Sequence, residues 1–82
     1  MIRAIRRDTR DGLCMPDWVV APGRYGKGWA YDDLEPTGEV VDCRGWHTED
    51  GPHEAYRVGD ARTFVILIPR RQATRLRRKA AR

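Results

Sequence analysis

Long apolar runs are missing from this 82-residue chain: the longest is Phe64 to Ile68, far short of the roughly 20 residues that a membrane-spanning helix needs. The N-terminal Met1 to Asp8 segment carries charge, and no apolar stretch follows it that could form the core of a secretion signal, so a cytoplasmic chain is expected. Cysteine is scarce. There are two, Cys14 and Cys43, where a secreted scaffold of this size usually carries four or more, so free thiols, at least partly buried, are expected rather than a disulfide. Lysine is nearly absent, two against fourteen arginines, a skew that a GC-rich coding sequence produces without any selection for phosphate contacts. Repeats, coiled-coil heptads and low-complexity tracts outside the basic end are lacking. A second domain has no room, because a chain this short buries only about 60–65% of its unfolded surface in one modest core.

Acid is also absent from the last thirteen residues, which hold Arg70, Arg71, Arg75, Arg77, Arg78, Lys79 and Arg82. The overall charge of +4 therefore hides an asymmetry. Residues 1–69 carry nine basic and twelve acidic side chains, or −3, and residues 12–69 carry five and ten, or −5. The two ends are basic and the middle is acidic. The chain divides into a β-rich domain at 1–69 and an arginine-rich helix or tail at 70–82.

From the start to Pro69, short β-branched or aromatic runs are separated by Gly, Pro and Asp clusters about every ten residues, the spacing of a small barrel or sandwich. Strands are expected near Met1–Arg7, Trp18–Ala21, Gly28–Tyr31, Glu39–Trp46, His53–Val58 and Arg62–Ile68. Thr63 to Ile68 is apolar on both faces, which predicts a central strand covered on both sides, with the tail as one cover. Thr48 to Pro52 supplies a hairpin turn. The expected register of that hairpin places Val41 and Cys43 on one apolar face with Tyr56 and Val58. Pro69 suits the first turn of a helix, and Ala73, Leu76 and Ala80 form a thin stripe that predicts a short helix docked through Leu76. The fold class expected is mainly β: a small five- to six-stranded antiparallel barrel-like domain, SH3-like or similar, with a short C-terminal basic helix.

Candidate partner-binding residues are the cations of the tail and those of the glycine-rich segment Pro22 to Tyr31. Seven cations in thirteen residues attract phosphate, anionic lipid or an acidic protein face, or else fold back on the acidic body as a clamp. In the glycine-rich segment, Arg24, Tyr25 and Lys27 would form a stacking and phosphate-contacting tip if held in water, whereas an ordinary hairpin turn would leave Trp29 and Tyr31 near the core. Gly23 and Gly26 have the wrong separation for a Walker loop. Gly23-Arg-Tyr-Gly26 imitates the loop of KH domains but lies between strands rather than helices.

No metal and no cofactor are expected. Cys14, Cys43, His47 and His53 have zinc-ligand chemistry but lack a tight cysteine pair, and read as two small buried thiols with two surface histidines near a turn. Asp32, Asp33 and Glu35 read as a loop. Cys43 with His47 imitates a thiol dyad without an orienting third group, so no catalytic residue is assigned and no enzyme is expected. Two functions fit. One is a protein-interaction or inhibitor protein that occludes a larger protein or protein–nucleic acid complex, with the size economy of phage and mobile-element proteins. The alternative is a nucleic-acid-binding module using the tail and the Arg24/Tyr25/Lys27 loop. The acidic middle favours the first. At least one of Trp18, Trp29 and Trp46 is expected to be partly exposed.

Overall fold

Short β-branched and aromatic runs build six strands, and the computed structural model describes residues 1–21, 28–45, 48–59 and 62–81. The strands are β1 (Ile2–Asp8), β2 (Cys14–Val20), β3 (Trp29–Ala30), β4 (Leu34–Cys43), β5 (Gly51–Val58) and β6 (Phe64–Pro69), followed by helix α1 (Arg70–Ala80). They form one sheet in the order β3-β2-β1-β6-β5-β4, antiparallel except for the short β2–β3 pair. The sheet curls into a half-barrel.

The β1–β2 hairpin closes because Asp8 and Asp11 accept backbone N–H groups from Arg10 and Leu13, and Gly12 takes φ 74°, a conformation that costs glycine nothing. β2 therefore starts at Cys14, earlier than the expected Trp18. β4 likewise starts at Leu34, because a bulge between Pro36 and Val40 absorbs the Pro36 and Gly38 signals that read as loop. Tyr31–Asp33 form a single 3-10 turn, and Glu35 lies in β4.

Residues of alternate parity face the helix. Ala4, Val19, Leu34, Tyr56, Val58, Ile66 and Ile68 pack there with Ala73 and Leu76 of α1 in the main core. The Trp29–Leu34 connection runs from the β2 edge to the β4 edge across this same face, with Trp29 on Phe64 (5.6 Å between ring centres) and Tyr31 on Tyr56 (5.8 Å). β6 lies between β1 and β5 and is buried on both faces, through Ile66 and Ile68 on one and Leu67 on the other. This is the central strand the sequence predicts.

The opposite face holds a second cluster, Ile5, Ala55 and Leu67, with Cys14, Val41, Cys43 and Val65 against it. The β4–β5 register differs from expectation. Val41 pairs with His53 and Cys43 with Gly51, which puts both on the face of Ala55 and Arg57, while Val40 shares the face of Tyr56 and Val58. The turn length sets this parity, which the bulge leaves unchanged, and hydrophobic matching alone does not. His53, expected at the surface, is wholly buried, its Nδ1 2.8 Å from the Gly51 carbonyl.

Candidate docking surface

The basic tail is an ordered helix that is partly spent on its own body. Arg70 and Arg77 converge on Glu54 of β5, Arg70 at 3.7 Å and Arg77 in a direct hydrogen bond, and Arg71 pairs with Glu49 at 2.8 Å. Burial pushes the Glu54 carboxyl up, but the hydrogen bonds from Arg77 and Tyr56, with the nearby charges of Arg77 and Arg70, outweigh it and hold the group below its ordinary range. Arg75, Arg78 and Lys79 are exposed and make no ion pair with another described residue. Arg75 and Lys79 border a cleft of about 280 Å³ against Met1 and Ala21. The remaining expected contacts, Arg24, Tyr25, Lys27 and Arg82, lie outside the described residues, as do His47 and Trp46.

A different surface comes from β2. Leu13, Met15 and Trp18 are 65%, 51% and 42% exposed, three of the five large apolar side chains left in solvent among the described residues. They stand on or beside one edge strand. Trp18 meets the expectation of an exposed tryptophan, whereas Leu13 and Met15 were not anticipated because Met-Pro-Asp interrupts the pattern that marks a strand; the available signal was a proline that suits an edge.

Beyond the β3 contact at Val19 and Val20, no described residue pairs with the outer edge of β2. Two features block that edge from accepting another strand. Pro16 has no N–H, and the Trp18 N–H donates to the Asp17 carboxylate at 2.8 Å. The other oxygen of Asp17 accepts the Trp29 indole N–H at 2.9 Å and faces Arg6 at 3.8 Å. Side chains, rather than backbone, are what β2 offers.

Cross-strand pairing places Trp18 beside Arg3 and Cys14 beside Arg7, both arginines exposed and in no ion pair with a described residue. Next to them lies a groove of about 320 Å³ floored by Ile5, Leu67 and Val41 and bordered by Arg7, Arg44 and both cysteines. Arg6 packs its guanidinium over Phe64 at 5.4 Å, on the helix side of the sheet.

The Cys14/Cys43/His47/His53 set and the Cys43–His47 pair both include His47, which lies outside the described residues. Among the described residues no cluster of three or more His, Cys, Asp or Glu side chains could hold a metal. Burial, and after it the neighbouring Cys14, push the Cys43 thiol up, while Arg7 acts in the opposite sense. Comparison with protein-family models, with curated proteins and with solved structures finds no match. The class that the fold defines is a mainly β domain, a six-stranded curled half-barrel with one C-terminal helix. No helix among the described residues is long and apolar enough to cross a membrane.

Proposed function

We propose that the chain is a non-catalytic protein-binding module that occludes a larger macromolecular partner, and that it docks through β2 and the groove beside it. The observation that carries this reading is the exposure of Leu13, Met15 and Trp18 along β2, with Trp18 on the groove face beside the uncommitted Arg3, Arg7 further along that face, and Met15 on the helix face opposite Arg6. Interfaces are enriched in aromatic residues, Met and Arg, and their energy concentrates on a few Trp, Tyr and Arg anchors. Arginines that have no acid of their own call for an acidic rim on the partner.

The test starts with a complex reconstituted from the purified protein and a partner recovered by affinity capture. Trp18→Ala and Met15→Ala are each expected to weaken it by about tenfold or more, the loss of one anchor, with the unfolding midpoint little changed. Unchanged affinity in both variants, together with hydrogen-exchange protection confined to α1, would sink the β2 reading.

One observation favours nucleic acid as the alternative partner: the three uncommitted cations Arg75, Arg78 and Lys79 on the exposed side of α1. Three phosphate contacts give a log–log salt slope of about −3. Replacing all three with glutamine removes that slope if the helix is the contact, and leaves it intact if it is not.

A further inference from the structure

Cys14 opens β2 and Cys43 closes β4, so each lies on a terminal rung of its ladder, opposite Arg7 and Gly51. Three strands stand between β2 and β4 in the sheet order. At the usual strand spacing a flat sheet would hold them about 19 Å apart. The curl brings them closer than that, for both cysteines pack against the Ile5/Ala55/Leu67 cluster and both border the same groove. The two thiols also feel each other electrostatically, and Arg7 acts on Cys43 in the opposite sense to Cys14. Neither sulfur has a strong competing partner. Cys14 reaches the Gly12 carbonyl at 3.6 Å and Cys43 the Val41 carbonyl at 3.9 Å, weak contacts for a thiol.

We propose that Cys14 and Cys43 form a thiol–disulfide switch that ties β2 to β4 across the groove, closed by exchange with a low-molecular-weight disulfide. One cysteine thiolate attacks the small disulfide, forms a mixed disulfide and expels one small thiolate. The second cysteine, having lost its proton to water, attacks the protein sulfur of that mixed disulfide and expels the other small thiolate. Two protein thiols are oxidised to one disulfide, the small disulfide is reduced to two thiols, and the two protons end on those thiols. A disulfide needs Cα atoms about 4.4–6.8 Å apart, and because both residues end their ladders, the closure displaces strand termini rather than strand centres. Closure occupies the groove border with a covalent bond and withdraws both thiols from it. Arg7 favours the thiolate of Cys43 and so speeds the closing step.

The reduced full chain, incubated with oxidised glutathione and then alkylated, is expected to lose two hydrogens, take up no alkylating agent and yield a Cys14–Cys43 cross-linked peptide after proteolysis. Cys14→Ser and Cys43→Ser are each expected to stop at a single glutathione adduct, which shows that both thiols are reachable. Arg7→Gln is expected to slow closure by about two- to fivefold, the reach of one partly exposed charge on a neighbouring thiol, while Arg3→Gln leaves the rate unchanged. A wild-type protein that holds two glutathione adducts with no internal link overturns the proposal, as does disulfide formation found only between molecules. The reaction is read without any partner, so its failure and that of the docking surface are separable.

Discussion

The Arg77 guanidinium of α1 donates to both the Glu54 carboxylate and the Tyr56 hydroxyl of β5, and that hydroxyl in turn donates to Glu54 at 2.8 Å. This triangle fastens the basic helix to the acidic body beside the apolar dock of Ala73 and Leu76. Glu54 titrates below the ordinary glutamate value of 4.5 in the folded chain. A carboxyl with a depressed folded-state pKa contributes stability that is present above the unfolded value and lost as pH falls through the folded one. Urea unfolding of the wild type is therefore expected to weaken from about pH 5 downward, and Glu54→Gln to weaken less steeply over that range. At neutral pH, Glu54→Gln costs about 1–3 kcal/mol. Parallel slopes for the two proteins would exclude this role.

Leu76 is 1% exposed and sits in the main core with Ile66, Ile68 and Tyr56. Leu76→Ala should cost about 2–5 kcal/mol, lost transfer energy plus the residual cavity. Arg78→Ala, on the exposed side of the helix, should stay within about 0.5 kcal/mol. Chemical denaturation of the two variants side by side distinguishes a docked helix from a loose tail.

Gly28 has φ 111°, and a Cβ built there meets the Trp18 carbonyl oxygen at 2.7 Å. Backbone against backbone cannot yield as a flexible side chain would, so Gly28→Ala combines a strained φ with a clash. The expected loss is about 1–3 kcal/mol, visible as a lowered thermal midpoint and a changed Trp fluorescence. A variant as stable as the wild type would mean that β3 does not press on β2 in solution.

Asp17 carries two duties at once, covering the Trp18 N–H and receiving the Trp29 indole. Asp17→Ala leaves the edge donor of Trp18 open and the indole unpaired. The variant is expected to lose about 1–3 kcal/mol and to self-associate, because an uncovered edge beside exposed apolar residues recruits other strands. Sedimentation velocity over a concentration series reads the second effect, and a strictly monomeric variant would refute it.

Much of the architecture was legible along the chain. The apolar Phe64–Ile68 run could satisfy itself only as a central strand, Pro69 could only end it, and Leu76 was the one large apolar side chain with which the basic helix could dock. Short-range rules govern each of these: side-chain periodicity, the missing proline N–H and helix propensity. The same rules did not reveal that Pro16 guards a strand edge, because a proline read locally marks a turn, or that His53 is buried, because the pairing of β5 with β6, which sets His53 opposite Pro69, decides which face that residue takes.

The sequence by itself determined the mainly β class, the C-terminal helix and the division of charge between an acidic middle and basic ends. Tertiary structure alone decided which cations remain uncommitted, since Arg70, Arg71 and Arg77 lose that freedom to Glu54 and Glu49 across separations of sixteen to twenty-three residues. It also decided that Leu13, Met15 and Trp18 share an exposed edge and that Cys14 and Cys43 share a groove. The physical reason is the same in each case. Local propensities act over a few residues, whereas strand register and sheet curl are settled by the joint packing of all the strands with α1, and only that packing brings distant side chains together.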